Sequence, residues 1–152
     1  MSDLQKLAAK TDSTEFYSPV PENYQKGKTK FIIISGSVMS GVGKGVFTSC
    51  IGTLFTCHGL NISPIKFDGY LNCDAGTLNP YRHGEVFVLD DGTECDLDMG
   101  SYERFLNKNF NKNNYLTAGK IFKTIIDRER EGGYLGRDVQ FIPHVTGEIK
   151  RF

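Results

Sequence analysis

Ten consecutive residues, Gly36-Ser37-Val38-Met39-Ser40-Gly41-Val42-Gly43-Lys44-Gly45, have the composition of a polyphosphate cradle. Gly43 and Gly45 let the backbone curl so that its N–H groups point inward, and Lys44 adds a compact positive charge. If a helix follows, its N-terminus contributes a partial positive end. The plain alternative is a Gly-rich turn that binds nothing. The loop departs from the common G-x-x-x-x-G-K-S/T pattern at two points. Val38 stands where the first Gly belongs, and Gly45 stands where a magnesium-binding hydroxyl belongs. A metal at this loop therefore needs a carboxylate from elsewhere, or Thr48 reaching in. Asp68, Asp96 and Asp98 are acidic candidates. Asp96 and Asp98 alternate along an expected strand and so point to one face, although such a pair is more often a solvated surface. Lys66 at a strand end would ordinarily snorkel to water. His83 and His144, taken alone, would be ordinary surface or core residues.

The elements that must position these groups follow from periodicity. Phe31-Ile32-Ile33-Ile34 is a short apolar run ending in Gly and Ser, the signature of a buried parallel strand. Residues 46–58 read as a helix, with Val46, Ile51, Leu54 and Phe55 near helical spacing and Gly59 as its stop. Ile62–Phe67 reads as a second strand, completing a right-handed βαβ unit. Glu85–Leu89 and Glu94–Asp98 flank Asp91-Gly92, a hairpin signal. Ser101–Lys108 suits a short helix. Thr117–Glu131 is the strongest helix, with Thr117 as N-cap, Ile121, Ile125 and Ile126 on one face, and Gly132-Gly133 ending it. Val139–Ile142 is expected as a third sheet strand, stopped by Pro143, with a further helix beginning near the end. The class is α/β, with a sheet incomplete at its C-terminal side. A doubly wound sheet needs more strands and two covered faces. Residues 1–29 are a polar tail, and residues 30–152 form the domain.

Composition narrows the function. The 152 residues suffice for one compact domain. Lys plus Arg (18) balance Asp plus Glu (18), so no general field favours nucleic acid or an acidic membrane. Cys50, Cys57, Cys73 and Cys95 form neither a C-x-x-C pair nor a zinc-spaced cluster and read as reduced thiols. With no apolar run of about 20 residues and no signal-peptide stretch, a cytoplasmic protein is expected.

Several longer segments, in fixed order, resemble CTP synthase. Ser35–Gly45 is similar to the family's T-G-G-V-V-S-S-L-G-K-G. Lys66-Phe67-Asp68-Gly69-Tyr70-Leu71-Asn72 is similar to K-x-D-P-Y-x-N, and Asp74-Ala75-Gly76-Thr77-Leu78-Asn79-Pro80 to D-P-G-T-M-S-P. His83-Gly84-Glu85-Val86-Phe87-Val88, Asp96-Leu97-Asp98, Tyr102-Glu103-Arg104-Phe105 and Ile142-Pro143-His144 also fit, so the resemblance covers about residues 30–152. It implies a P-loop, dethiobiotin-synthetase-like fold. It also implies ATP-dependent amination of UTP to CTP in pyrimidine nucleotide synthesis, with glutamine-derived ammonia and Mg²⁺. By the resemblance, Ser40, Gly41, Val42, Gly43, Lys44, Gly45 and Val46 bind nucleotide, Ser40 lying between the ATP and UTP phosphates. Lys44 and Lys66 act on the phosphoryl groups, Asp98 binds Mg²⁺, and Gln140 and His144 line the UTP side. The family assembles as a tetramer and carries a C-terminal glutaminase domain, which is absent here. The alternative is a truncated, non-catalytic relative that binds nucleotide or docks into full-length CTP synthase. An unrelated P-loop kinase is disfavoured by Gly45.

Overall fold

The computed structural model describes residue 25, residues 27–36 and residues 41–152. The expected tail therefore lies largely outside the described residues, as do Ser37, Val38, Met39 and Ser40. Residues 30–120 form one compact unit, and residues 121–152 belong to a second. No helix among the described residues is long and apolar enough to cross a membrane.

In the first unit, α1 (Lys44–Cys57) follows the Gly-rich loop directly. Gly59, at φ 80°, ends it: Leu60 N–H reaches Phe55 O and Gly59 N–H reaches Thr56 O, closing the last turn as expected. The packed face of α1 differs from the sequence expectation. Gly45, Ser49 and Gly52 are buried, whereas Val46 and Leu54 are exposed. Small residues at i, i+4 and i+7 let α3 (Asp98–Leu106) approach closely. A Cβ on Gly52 would stand 3.0 Å from Leu106 Cδ2, and the Thr53 hydroxyl donates to Phe105 O at 3.1 Å.

Two short ladders lie in this unit. β1 (Lys66–Asp68) pairs in parallel with β4 (Tyr115–Thr117), Lys66 opposite Tyr115 and Asp68 opposite Thr117. The expected strand at Ile62–Phe67 is thus displaced, because Pro64 has no N–H to give a ladder. The Asn114 side-chain amide holds that stretch instead, donating to Pro64 O and Ser63 Oγ. The hairpin is as expected: β2 (Val86–Val88) pairs antiparallel with β3 (Glu94–Asp96). Gly92 takes φ 83° in its turn, and the Asp91 side chain accepts from Thr93 N–H. A one-turn helix, α2 (Pro80–His83), precedes it, capped by Asn79. The core gathers Leu89, Cys95, Met99, Tyr102, Leu106, Phe110 and Tyr115, with Ile62 and Phe87 at its margin.

Residues 31–34 are not a buried strand. Neither described ladder includes them, and Phe31, Ile32 and Ile33 are 70, 58 and 89% exposed. An apolar β-branched run becomes a strand only where a neighbouring strand takes its N–H and C=O groups.

Helix α4 (Ala118–Arg130) begins as expected, with Thr117 Oγ accepting from Lys120 N–H at 3.0 Å. Ile121 and Ile125 are buried, but Ile126 is 56% exposed, a step of about 100° round the helix from Ile125. In the second unit, Gly132 at φ 78° ends the helix, with Gly133 N–H reaching Arg128 O. The expected strand at Val139–Ile142 is absent. Gln140 N–H donates to His144 Nδ1 rather than to a ladder, and Phe141 and Ile142 are exposed. An irregular helical turn, Phe141–Val145, broken at Ile142, leads into α5 (Thr146–Arg151). Arg128 donates to Glu148 at 2.9 Å and ties α5 to α4. The sheet is therefore a two-strand parallel pair within a mixed α/β unit.

Candidate functional site

The glycine loop does place a helix N-terminus where the sequence expected one. Gly41 and Gly43 sit at φ 81° and 91°, in the left-handed region that Gly adopts without strain. Gly43 is the N-cap of α1, no side chain caps the helix, and its first turn carries no acidic residue. A helix N-terminus carries a partial positive charge that favours an anion. Lys44 folds back over the loop: a Cβ on Gly36 would stand 2.8 Å from Lys44 Cδ and 3.8 Å from Nζ. Val42 and Val46 are exposed beside it.

Three carboxylates converge nearby on one ammonium. Lys66 Nζ lies 2.9 Å from Asp68 Oδ1, 3.2 Å from Asp96 Oδ2 and 3.3 Å from Asp98 Oδ2. The route to this cluster is not the one the alternation suggested. Asp96 ends β3, whereas Asp98 is the first residue of α3, and Asp98 N–H bonds Asp96 Oδ1 across the change of element. Burial alone would lower the Lys66 pKa, but the hydrogen bond it donates to Asp68 and the charges of Asp68, Asp96 and Asp98 raise it instead. Lys66 is thus an ion-paired residue, not a snorkelling one.

Gly45 links the two parts. A Cβ there would fall 2.5 Å from Asp98 Oδ1 and 2.7 Å from its Cγ, so the carboxylate rests against the bare backbone of the loop. The Thr48 hydroxyl donates to Lys44 O at 2.8 Å and so lies along α1, while the Asp98 carboxylate is the group set against Gly45. The cluster sets three carboxylate charges against one ammonium. The Lys66 ammonium lies between them. Among the described residues no three such donors stand ready to hold a metal as they are.

Tyr70 and Tyr115 support the cluster, and sequence reading missed both. Tyr70 OH donates to Asp68 Oδ2 at 3.3 Å and hydrogen-bonds Tyr115 OH. Burial, reinforced by Asp68, pushes the Tyr70 phenol up to about 12, against the effect of its bond to Tyr115. Burial, then the bond to Tyr70 and the Asp68 charge, raises Tyr115 as well. Tyr115 starts a three-residue strand, too short for any periodic signal. His83 stacks edge-on to Tyr70 and lines a narrow crevice with Cys95 and Asp96. Gln140 and His144 meet one another within the second unit, where the His144 ring also packs edge-on against Tyr134. Ser40 lies outside the described residues.

Residues 30–152 match the family model described as CTP synthase N-terminus. Among curated relatives, the chain is 56% identical over 123 residues to a CTP synthase of Pyrococcus horikoshii. It is 57% identical over 122 residues to one of Pyrobaculum aerophilum and 53% over 123 residues to one of Halobacterium salinarum. These alignments cover 80–81% of this chain but 22–23% of the relatives, so the chain spans less than a quarter of the length of the curated relatives it matches.

Proposed function

Because the chain belongs to the family of CTP synthase N-termini, we propose that residues 30–152 are the front part of a P-loop, dethiobiotin-synthetase-like domain that serves the ATP-dependent amination of UTP to CTP. The observation that carries the proposal is the meeting of a helix N-terminus led by glycine with a carboxylate, Asp98 against Gly45. That juxtaposition suits a nucleotide triphosphate and its counter-ion.

In this reading, the backbone of Gly41, Val42, Gly43, Gly45 and Val46 and the Lys44 ammonium hold the ATP phosphates, with Ser40 at the junction with UTP. Asp98, with Asp68 and Asp96 beside it, would hold Mg²⁺, which when bound neutralises phosphate charge. Lys66 stabilises negative charge on the phosphoryl group as it passes to the uracil 4-oxygen, a role for a fixed cation in a partly desolvated site. Gln140 and His144 line the UTP side. Ammonia derived from glutamine then displaces the phosphate. Residues 1–29 are a polar tail outside the domain.

The exposed apolar side chains of Phe31, Ile32, Ile33, Val46, Phe47 and Leu54 favour work inside a larger assembly, a tetramer or a complex with full-length CTP synthase. The cysteines Cys50, Cys57, Cys73 and Cys95 are all free, which fits a reducing, cytoplasmic setting. The decisive experiment is equilibrium binding of ATP to the chain and to Lys44→Ala. Loss of binding in the variant is expected; unchanged affinity refutes the phosphate loop. The chain alone, given UTP, ATP, Mg²⁺ and ammonia, is expected to form no CTP.

A further inference from the structure

The two oxygens of Asp68 serve different partners. Oδ1 lies 2.9 Å from the Lys66 ammonium, and Oδ2 accepts from Tyr70 OH at 3.3 Å. A phenol has one hydrogen to give, and a carboxylate paired with an ammonium only accepts. With the Tyr70 hydrogen given to Asp68, the bond between the two phenols has a fixed sense: Tyr115 OH donates to the Tyr70 oxygen. We infer that Tyr70 and Tyr115 are positioning residues for Lys66 that act in series: Tyr115 aims the Tyr70 hydroxyl, Tyr70 fixes the Asp68 carboxylate, and Asp68 fixes the ammonium.

The fold makes this the rigid side of the cluster. Lys66 and Asp68 are two apart on β1, and Tyr115 stands opposite Lys66 on β4, so all three side chains leave one face of the ladder. Tyr70 follows the strand, and its backbone is tied to the start of α4 by Gly119 N–H, which donates to Tyr70 O at 3.2 Å. Three residues on, the Thr117 hydroxyl donates to Cys73 O at 3.2 Å. The approach is so close that a Cβ on Gly119 would stand 2.3 Å from Leu71 O. The segment therefore holds Tyr70 beside β4, the strand that carries the fully buried Tyr115. Asp96 and Asp98, the other partners of Lys66, are more open, with side chains 27% and 40% exposed against 13% for Asp68. Exposed ion pairs restrain little, so the place of the ammonium is set from the Asp68 side. A cation stabilises a transferring phosphoryl group best when it is already in position, and the two phenols supply that position. The inference rests on the proposed function only for the task that Lys66 performs once placed.

The test is the exchange of the Lys66 ammonium hydrogens with water in the nucleotide-free chain, followed by ¹⁵N-lysine NMR, with the Lys66 signal assigned by its absence from Lys66→Met. Tyr70→Phe keeps the ring and removes the hydroxyl. It is expected to speed the exchange by about tenfold, the worth of a hydrogen bond to a charged group. Tyr115→Phe should speed it by only about threefold, because Tyr70 keeps its bond to Asp68 and loses only the partner behind it. Since the two act in series, adding Tyr115→Phe to Tyr70→Phe should change nothing further. Lys120 is the control in the same samples. Its ammonium lies 5.0 Å from the centre of the Tyr115 ring and donates to Tyr115 O, and Phe keeps both ring and carbonyl. Exchange at Lys120 should therefore hold in every variant, whereas a general loosening would speed both lysines. Wild-type exchange at Lys66 in Tyr70→Phe, joint speeding of Lys66 and Lys120, or effects that multiply in the double variant would each overturn the inference. The wild type supplies an independent measurement that needs no variant to fold. The Tyr115 hydroxyl hydrogen is expected in slow exchange, with a nuclear Overhauser contact to the Tyr70 ring, and its absence would overturn the series. No nucleotide enters these measurements, while ATP binding and its loss in Lys44→Ala decide the phosphate loop, so the two readings fail separately.

Discussion

Gly45→Ala is the sharpest single perturbation of the proposed site. The new Cβ would lie 2.5 Å from Asp98 Oδ1, 2.7 Å from Cγ and 2.9 Å from Oδ2, so the whole carboxylate is in the way rather than one atom. Restoring ordinary contact moves it by about 1 Å. That takes the Lys66–Asp98 pair, now at 3.3 Å, out of ion-pair range. The effect on stability is small for two reasons. Asp98 is 40% exposed, so its pair with Lys66 contributes at most about 1 kcal/mol. Ala also favours the helical backbone over Gly by up to about 1 kcal/mol. Binding is another matter: Mg·ATP is expected to weaken by about tenfold or more, roughly 1.4 kcal/mol, because the carboxylate proposed to hold the metal is misplaced. Isothermal titration with Mg·ATP, paired with thermal melts, separates the two effects. A double-mutant cycle with Asp98→Ala completes the test. With the carboxylate gone there is nothing for the Cβ to strike, so Gly45→Ala should add little. Additive losses, or wild-type affinity in Gly45→Ala, would refute the idea that Gly45 is there to admit Asp98.

Other predictions concern the scaffold. Ser49, fully buried on the α1 face toward α3, should tolerate Ala but not Leu. Overpacking by Ser49→Leu is expected to remove about 1–3 kcal/mol in urea denaturation. Thr117→Ala should cost about 1 kcal/mol by the same measurement, because it removes the cap on Lys120 N–H and the bond to Cys73 O, whereas Thr117→Ser keeps both. Stability should fall as pH rises from 10 to 12, since the folded-state pKa of Tyr70 is raised to about 12 from 10 and that of Tyr115 moves the same way. In that window the unfolded chain has lost protons that the folded chain keeps, so the slope is negative. Tyr70→Phe should flatten it, as alkaline titration by circular dichroism would reveal.

The features legible in the sequence are those fixed by local chemistry. The Asp91-Gly92 hairpin, the Thr117 cap and the glycine stops of α1 and α4 each depend on a few adjacent residues, and each stands where those residues put it. Strand assignments for residues 31–34 and 139–142 did not survive, because a strand is a relation to a partner and apolar content says nothing about who the partner is. Conversely, β4 is three residues long and its partner lies 49 positions earlier in register, which no window on the sequence could reveal. The site was legible by halves. Lys66, Asp96 and Asp98 could be nominated, but their convergence depends on α3 beginning at Asp98, three residues before the expected start. Tyr70 stood within a family-like segment but without a role, and Tyr115 gave no signal, since a buried tyrosine and a tyrosine in a polar loop look alike until their hydroxyls meet.

The packing of α1 on α3 and the chemistry of the site turn out to be one feature. Apolar spacing along residues 46–55 suggests that α1 is held by its large side chains, but Val46 and Leu54 stay exposed, Ile51 and Phe55 are half-buried, and Gly45, Ser49 and Gly52 are the fully buried positions. A helix seam built from small residues binds less apolar area than one built from Leu or Phe, yet it brings the helix axes nearer together. At the Gly52 end that closeness seats Leu106; at the Gly45 end it sets the Asp98 carboxylate against the first turn of α1. The first residue of α3 can therefore face the leading N–H groups of α1 only if every position along the seam is small. Larger residues at Ser49 or Gly52 would push Asp98 away from the loop without touching it, and such changes should weaken Mg·ATP binding in proportion to the displacement they cause. It follows that α1 retains its small face despite the burial it forgoes: the position of a carboxylate, not the strength of the seam, is what those residues specify.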